Sequence, residues 1–573
     1  MVDFKHSVVY QIWPRSFKDS NNDGIGDIQG IISKLDYLKN LGITCIWLSP
    51  IYASPNDDYG YDISDYYAIN PEYGTMDDFD ELLLECKNRN IDILMDLVAN
   101  HTSTEHKWFK DALNNPSSPY RDFYYFKEGV NHREPNNWLS FFGGSSWTKE
   151  SDNSYYLTSF APTQADLNWE NEKVREEIYN VMEFYLNKGI RGFRMDVINC
   201  IDKKTGLPDK NPNKKGYQFP DDYILNGPKV HTYLKEMNEK VMSKYDDVIT
   251  LAEGCMVTLQ DAMNYTNPDN KEIDMCFHFD LSTLGYGSLG KYDFRKFYRF
   301  NVSDIKSITR KWQNAMMEHH GYIANFLSNH DNMRHIERYG DIKLYYLESA
   351  KAFALYNFML YGTPFIYQGE EIGMTNLKLD YHEWKDYEAI NSVQAMHDML
   401  HVPLPIAKKF GQYVTRDNAR TPVQWSSEDY AGFSSTTPWI KLNPNYTVIN
   451  AEDCIKDPQS IYNFYKKLIE LRKNNEALCT GGFKELNKDH KSILCFKRSL
   501  EDDEYFIIIN LTKQASDITL DESLQGEELL HNGLDKELRR VMKLAPFEAH
   551  LYKIIKKEES QPKVALHSSK YRV

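Results

Sequence analysis

Apolar, β-branched runs alternate with amphipathic stretches along most of the chain. Eight of these runs have the composition of buried strands. They lie at 8–17, 43–50, 91–98, 190–196, 248–253, 275–279, 322–327 and 364–368. Strands that alternate with helices predict a parallel sheet, and eight such units predict an α/β fold of the (β/α)8 TIM-barrel type.

The stretches between the strands carry helix signals. Ile28 and Ile31 begin an apolar stripe with helical spacing, and Gly42 is placed to end that helix. Thr75 and Asp78, three residues apart, predict a capping box at the start of another helix. Two further helices are predicted at 170–186 and 460–471.

Two connections are too long to be plain loops. The one between the third and fourth strands is rich in aromatic clusters, which predicts a small inserted domain at 102–169. The barrel would then occupy 1–101 and 170–476, with a second long excursion at about 370–455. Short alternating runs predict an antiparallel β domain at 477–557, and the polar residues 558–573 are predicted to form a disordered tail.

Composition and net charge argue against some classes of binding partner. The chain has 573 residues, 41% hydrophobic and 26% charged, which is typical of a globular protein with a large core. Its net charge of −16 argues against nucleic acid or an anionic membrane as a partner. No apolar run is long enough to span a membrane, and no signal segment stands at the start. The eight scattered cysteines include no CxxC pair, so we expect reduced thiols and a cytoplasmic location.

Ionisable residues cluster where the predicted strands end. The third strand leads into Asp96 and His101, the fourth into Asp196, the fifth into Glu253, and the seventh into His330 and Asp331. Because catalytic groups of a barrel lie at the carboxyl ends of its strands, these side chains are predicted to share one rim.

Arg194 and Asp196 are two residues apart, so on a strand they point to the same side. A neighbouring guanidinium favours an ionised carboxylate, which predicts a lowered pKa for Asp196. Taken alone, such a pair is more often a structural ion pair. Beside two further carboxylates in an aromatic-rich chain, it indicates retaining glycoside cleavage, with one carboxylate as nucleophile and another carboxyl as acid and then base.

Seven segments together resemble one family. They are YQIWPRSFKDSNNDGIGDIQGI at 10–31, YGYDISDY at 59–66, DLVANHTS at 96–103, QADLNWEN at 164–171, GFRMDVIN at 192–199, SNHD at 328–331 and TRDNARTPVQW at 415–425. In this order the chain resembles the α-amylase superfamily, glycoside hydrolase family 13, and within it the oligo-1,6-glucosidase and dextran-glucosidase branch. The resemblance extends to about residue 555.

The resemblance implies roles by position. Asp196 would be the nucleophile, Glu253 the acid/base, and Asp331 the group that holds the substrate hydroxyls and strains the ring. The implied sugar contacts are Asp58, Tyr61, His101, Phe142, Phe160, Arg194, Val197, His330 and Arg416. Among them, Asp58 and Arg416 would grip the far hydroxyls and close the pocket, giving exo action on single glucose units.

Three positions depart from the family pattern. In the segment 251–255, Ala252 and Gly254 flank the acid/base where relatives usually carry Gly and Met. Asn332 and Met333 follow Asp331 where Gln-Pro is common, and Ala165 replaces a usual Pro. The first two departures adjoin the position of the leaving sugar, so leaving-group preference is the property they affect.

An early loop carries a separate signal. Asp19, Asn21, Asp23, Ile25 and Asp27 offer oxygen ligands at alternate positions around a central glycine. The resemblance implies a structural Ca2+ here, held by four side chains and the Ile25 carbonyl. An Asn/Asp-rich turn without metal would have the same sequence. No organic cofactor is expected.

The resemblance also gives an expected activity. Val197, directly after the nucleophile, accompanies α-1,6 preference in the family, which implies hydrolysis of isomaltose, panose and isomalto-oligosaccharides by a monomer. Within the family the alternatives are an α-1,4-glucosidase, a sucrose-active hydrolase or isomerase, and a trehalose-6-phosphate hydrolase. The isomerase loop Arg-Leu-Asp-Arg-Asp is absent from the sequence. A non-catalytic barrel scaffold is a further alternative, although such proteins lose the three carboxylates.

Overall fold

Eight parallel strands close into a barrel in the computed structural model, which describes residues 3–131, 133–151, 153–287, 290–293 and 300–555. The barrel strands are Val9–Ile12, Cys45–Leu48, Asp92–Val98, Gly192–Asp196, Ile249–Glu253, Met275–Phe277, Ile323–Asn325 and Thr363–Tyr367. Each strand pairs with the next in sequence, and the first also pairs with the last, Val9 lying opposite both Cys45 and Phe365. The predicted barrel is confirmed.

The first strand is shorter than predicted. It ends at Ile12 because Pro14, which has no backbone N–H to donate, begins a 3-10 helix at Pro14–Ser16. Close packing between neighbouring strands is visible at Gly192, where an added Cβ would lie 1.8 Å from the Ile249 carbonyl oxygen. Only glycine fits that approach.

Helices cover the barrel and extend beyond it. The described α-helices are Ile28–Ile32, Leu35–Leu41, Met76–Asn88, Lys107–Asn114, Glu172–Lys188, Asp221–Ile224, Pro228–Lys240, Leu259–Thr266, Val302–Glu318, His335–Arg338, Tyr346–Met359, Tyr387–Asp398, Leu404–Val414, Ala451–Lys456, Ile461–Lys473 and Glu476–Cys479. The helix predicted from Ile28 to Gly42 is two helices, with Gly42 left-handed at the end of the second. The capping box of Thr75 and Asp78 is present.

The segment between the third and fourth barrel strands forms its own small sheet. Phe126–Glu128, Trp147–Ser151 and Ser154–Leu157 make a three-stranded antiparallel sheet. A second short pair, His101–Ser103 with Gln164–Asp166, ties the end of this segment back to the barrel rim. The predicted insertion is therefore present as a folded unit, and its limits at 102 and 169 stay a prediction.

The chain ends in an antiparallel β domain, as predicted. Five strands lie in the order Gly482–Leu486, Ile493–Leu500, Asp503–Asn510, Ala549–Ile554 and Gly526–His531. Ser516–Thr519 pairs with Val541–Leu544 in a second sheet. The predicted tail at 558–573 lies outside the described residues. Within the described ranges, no helix is long and apolar enough to cross a membrane.

Candidate active site

A cavity of about 290 Å³ opens at the carboxyl ends of the barrel strands. All three predicted catalytic residues line it: Asp196, Glu253 and Asp331. So do eight of the nine predicted sugar contacts, namely Asp58, Tyr61, His101, Phe142, Phe160, Val197, His330 and Arg416. Residues up to 358 positions apart therefore meet in one site.

Arg194 is the predicted sugar contact that does not line the cavity. It is 1% exposed and lies behind the carboxylates. Its Nη1 contacts Asp96 Oδ1 at 2.6 Å and Asp196 Oδ1 at 2.7 Å, and its Nη2 contacts Glu253 Oε2 at 2.7 Å. One buried guanidinium thus contacts three carboxylates, and Asp196 and Glu253 are both among them.

The charge balance of this cluster reverses one prediction. Burial raises the pKa of Asp196 well above its ordinary value, repulsion from Glu253 and Asp96 adds to the rise, and Arg194 opposes it. The expected net lowering by Arg194 is therefore wrong in direction. Three carboxylates around one cation favour uptake of a proton. Retaining chemistry uses such a cluster when one carboxyl carries the proton and its neighbour is ionised.

The backbone after the nucleophile orients the acid/base. Val197 has φ 34° and ψ 40°, a left-handed conformation that β-branched residues rarely adopt. In this conformation its N–H donates to Glu253 Oε2 at 3.1 Å. The strained residue therefore contributes a hydrogen bond to the acid/base and an apolar side chain to the cavity wall.

Asp331 is surrounded by cations and hydrogen-bond donors. His330 Nε2 lies 3.0 Å from its Oδ2, and Arg420 Nη2 lies 3.0 Å from its Oδ1. Despite burial, His330 together with Arg416 and Arg420 holds the pKa of Asp331 well below its ordinary value. Asp331 therefore stays ionised, as a group that accepts hydrogen bonds from sugar hydroxyls must.

Aromatic and imidazole rings form the floor. Tyr61 stacks on His330 with ring centroids 5.2 Å apart and planes 7° apart, and its hydroxyl donates to Asp96 Oδ2 at 3.1 Å. His101 Nε2 lies 3.0 Å from the Tyr61 carbonyl oxygen, which can only accept, so Nε2 carries the proton. Burial lowers the pKa of His101, which keeps this ring neutral.

A buried ion-pair network lies at one side of the cavity. Arg416 Nη1 contacts Asp58 Oδ1 at 3.4 Å and lies 3.6 Å from Asp331 Oδ1. Its Nε donates to the fully buried Asp386 at 2.8 Å, which fixes the guanidinium. Phe142 covers Arg416 at 5.3 Å in a cation–π contact. Asp58 and Arg416 thus form an ion pair in the cavity wall, and their contact with sugar hydroxyls stays a prediction.

Several functional neighbours were not predicted. Among the described residues, the cavity is also lined by Phe141, Gln164, Cys255, Met256, Phe279, Thr283, Lys291, Asn332 and Glu388. Cys255 and Asn332 belong to the two segments that depart from the family pattern, so both segments reach the cavity wall. Gln164 and Arg420 lie inside two segments that carry the family resemblance, 164–171 and 415–425. Membership in these segments was therefore a sequence signal for both residues.

None of the five predicted metal-loop residues lines the cavity. Asp19, Asn21 and Asp23 each accept a hydrogen bond from a loop amide two residues on, in a series of Asx turns. Asp27 caps the following helix by accepting from Gly30 N at 2.6 Å. The all-oxygen donor set suits Ca2+ chemically. However, the described residues bring three metal-ligating side chains within 4.8 Å only at Glu528, His531 and Asp535, so the loop carboxylates do not converge to that degree.

Comparison with known proteins decides the family. A model described as the α-amylase catalytic domain matches residues 11–481. The chain belongs to the α-amylase family. As a member of this family with the three carboxylates in place, it is a glycoside hydrolase.

Relatives within the α-amylase family differ in substrate. An oligo-1,6-glucosidase from Parageobacillus thermoglucosidasius is 45% identical over 561 residues, covering 96% of this chain and 99% of that protein. A trehalose-6-phosphate hydrolase from Bacillus subtilis strain 168 is 44% identical, covering 96% and 98%. The crystal structure of an isomaltulose synthase from Klebsiella sp. LX3 superposes with a TM-score of 0.92 at 39% identity, covering 97% and 100%. Identity alone therefore does not choose among these activities.

Proposed function

We propose that this protein is a retaining, exo-acting α-glucosidase that removes glucose from the non-reducing end of short α-glucosides and prefers α-1,6 linkages. Isomaltose, panose and isomalto-oligosaccharides are the proposed substrates. The observation that carries the proposal is one cavity that contains Asp196, Glu253 and Asp331 and has the Asp58–Arg416 pair in its wall.

The reaction uses two carboxyl groups in sequence. Asp196 attacks the anomeric carbon while Glu253 donates a proton to the leaving oxygen, which gives a covalent glycosyl-enzyme. Glu253 then removes a proton from water, which attacks the same carbon and releases glucose with retained configuration. Asp331, ionised and held by Arg420, accepts hydrogen bonds from ring hydroxyls as the ring flattens.

The charge of the cavity supports a neutral sugar over a phosphorylated one. Its described wall contains five carboxylates and two cations. Both cations are paired, Lys291 with Glu388 at 2.6 Å and Arg416 with Asp58 at 3.4 Å. A phosphate dianion placed there would meet excess negative charge, which disfavours trehalose 6-phosphate.

A panel of substrates distinguishes the proposed α-1,6-glucosidase activity from the activities of the chain's relatives. Purified protein is incubated with isomaltose, panose, maltose, sucrose and trehalose 6-phosphate, and glucose release is measured over time. We expect isomaltose and panose to be cleaved fastest. Fastest cleavage of trehalose 6-phosphate or maltose, or conversion of sucrose to an isomer, would assign the corresponding family activity instead.

The nucleophile gives a direct test of the mechanism. Asp196→Asn should lower kcat by at least about a thousandfold on isomaltose, because the amide cannot form the glycosyl-enzyme. Asp489→Asn, an exposed change in the C-terminal domain, serves as the control and should leave kcat unchanged. Near-normal turnover by Asp196→Asn in a preparation free of contaminating glucosidase would disprove the assignment.

For the loop of Asp19, Asn21, Asp23, Ile25 and Asp27, we propose a structural Ca2+. Its all-oxygen donors support the ion, and the Asp23 side chain is exposed. Chelation of Ca2+-loaded protein should lower the melting temperature, because an ion bound only by the folded state stabilises it. Asp19→Asn should remove this response while the exposed control Asp429→Asn keeps it. A melting curve that chelator leaves unchanged would show that the loop is a hydrogen-bonded turn.

We also propose a cytoplasmic, monomeric enzyme. The scattered thiols support a reducing location, and all eight cysteines are unpaired. Size-exclusion chromatography with light scattering tests the monomer, and a mass near twice 67.1 kDa would contradict it.

A further inference from the structure

Three metal-ligating side chains converge on the C-terminal β domain, in a part of the chain that contributes nothing to the catalytic cavity. Glu528, His531 and Asp535 each place one ligand atom within 4.8 Å of the other two. Glu528 and His531 lie on the edge strand Gly526–His531, and Asp535 lies on the turn that follows. His531 Nε2 and Asp535 Oδ1 are 2.7 Å apart.

A β-bulge accounts for this convergence. Side chains three residues apart on a regular strand point to opposite faces. The strand pairing shifts between Glu528 and Leu530, where one extra residue enters the edge strand opposite Ala549–Ile554. The shift reverses the alternation, so Glu528 and His531 face the same side. Bulges of this kind re-aim side chains at functional positions.

A second layer of contacts holds the first ligand in place. His550 is fully buried on the neighbouring strand, and its Nδ1 lies 2.5 Å from Glu528 Oε1. Its Nε2 lies 2.8 Å from Glu548 Oε1. The other oxygen of Glu528 accepts from the backbone N–H of Lys536 at 3.0 Å. A ligating carboxylate fixed by an imidazole and an amide is the outer layer that metal sites use.

His531 presents one ring nitrogen to the other two ligands. Its Nε2 lies 2.7 Å from Asp535 Oδ1, whereas its Nδ1 is buried without a hydrogen-bond partner among the described residues. An ion would therefore bind at Nε2, between the ring and the two carboxylates, and Nδ1 would carry the ring proton. One imidazole nitrogen with two carboxylates suits Zn2+ and its neighbours in the first row, whereas Ca2+ and Mg2+ prefer oxygen ligands alone.

We propose that Glu528, His531 and Asp535 form a binding site for a divalent first-row transition metal, and that Zn2+ is the ion it takes. Three protein ligands leave one tetrahedral position for water. The ion would join the edge strand to the following turn, so its effect is on the stability of the C-terminal domain. The cavity residues are separate from this site, so turnover is expected to be independent of it.

The test measures Zn2+ stoichiometry and thermal stability in the full-length protein. Wild type, His531→Gln and Asp535→Asn are stripped with chelator, dialysed against micromolar Zn2+ and assayed for bound zinc. Wild type should retain one more equivalent than either variant, because active-site and thiol binding is common to all three. Zn2+ should raise the melting temperature of wild type and leave that of the variants unchanged.

Matched controls are available on the same chain. His319→Gln and Asp517→Asn change an exposed histidine and an exposed carboxylate outside the cluster, and both should behave as wild type. Asp535 is 92% exposed, so Asp535→Asn remains informative even if His531→Gln folds poorly. Equal zinc content and an equal melting response in wild type and Asp535→Asn would overturn the proposal.

Discussion

Val197 has two separable contributions to the active site. Its left-handed backbone directs an N–H onto Glu253, and its side chain forms apolar wall where the leaving sugar would lie. Such a conformation costs a β-branched residue roughly 1–3 kcal/mol. The strain is offset by the surrounding barrel, and it is used to orient the acid/base.

The side-chain contribution can be tested with an isosteric change. Val197→Thr keeps the shape and adds a hydroxyl beside the leaving sugar. One hydrogen bond to that sugar is worth about 0.5–1.5 kcal/mol, or about three- to tenfold in a rate ratio. We therefore expect the maltose-to-isomaltose ratio of kcat/KM to rise by this factor.

A second variant, Val197→Ala, separates the effect of the added hydroxyl from the effect of the lost methyl group. Val197→Ala also removes apolar surface but offers no hydrogen bond, so its ratio should stay near that of wild type. The hydroxyl explanation fails if Val197→Ala and Val197→Thr shift the ratio equally, or if neither shifts it.

For single residues, the sequence predicts the place of a side chain in the fold better than it predicts its charge state. Asp196, Glu253 and Asp331 were found because each follows a recognisable strand. The raised pKa of Asp196 was not foreseen, because it depends on burial and on Asp96, which is 100 residues away in the chain. Arg194 was assigned to the sugar for the same reason, since its three carboxylate partners come from three different strands.

Among the secondary-structure elements, strands were easier to predict than their limits or their partners. All eight barrel strands were located, because buried strands carry long apolar runs. The short pair His101–Ser103 and Gln164–Asp166 was not foreseen, because its pairing joins segments about 60 residues apart. Such contacts are set by tertiary packing, which leaves little trace in local sequence.

That short strand pair is secured by one buried lysine. Lys203 Nζ lies 2.8 Å from Asp166 Oδ2 and donates to Asn100 Oδ1 at 2.6 Å. It also donates to the Cys200 carbonyl oxygen at 2.6 Å. The ammonium thus joins the inserted segment to the ends of the third and fourth barrel strands, directly beside His101.

Removing the Lys203 charge should weaken the attachment of the inserted segment to the barrel. Lys203→Met leaves the buried Asp166 with its Ser159 hydrogen bonds but without a cation, which we expect to destabilise the protein by about 3–5 kcal/mol. The change is measured as a drop in melting temperature, with a rise in KM as His101 loses its support. Lys204→Met, an exposed neighbour, is the control. If both variants melt alike, the lysine has no such role.

The whole molecule is held together by buried polar contacts between distant segments. Glu371 accepts hydrogen bonds from Tyr10 at 2.9 Å and Tyr37 at 2.7 Å, and Glu370 accepts from Tyr465 at 2.8 Å. These bonds connect the first strand, the first helices and the last barrel helix to the chain just after the eighth strand. Burial raises the pKa of Glu370 to about 8.

This shift gives the protein a predictable pH dependence. Between roughly pH 4.3, the value for an unfolded glutamate, and pH 8, the folded state holds a proton that the unfolded chain releases. The Glu370 contribution to stability is therefore full below this window and falls as pH rises through it. Glu370→Gln keeps a neutral side chain, so the decline in melting temperature from pH 5 to pH 8 should become shallower.

Glu470→Gln, an exposed change on the last barrel helix, should leave the slope as in wild type. An identical slope for Glu370→Gln would rule out this origin.

The pairing of the first barrel strand with the last has a consequence for biosynthesis. Val9 lies opposite Phe365, so the barrel cannot close until more than 360 residues have left the ribosome. At about 5–20 residues per second, roughly 20–70 s separate the synthesis of these two partners. During that interval Val9–Ile12 and its neighbours carry unpaired edges, which makes the nascent chain a client for chaperones well before any sugar can bind.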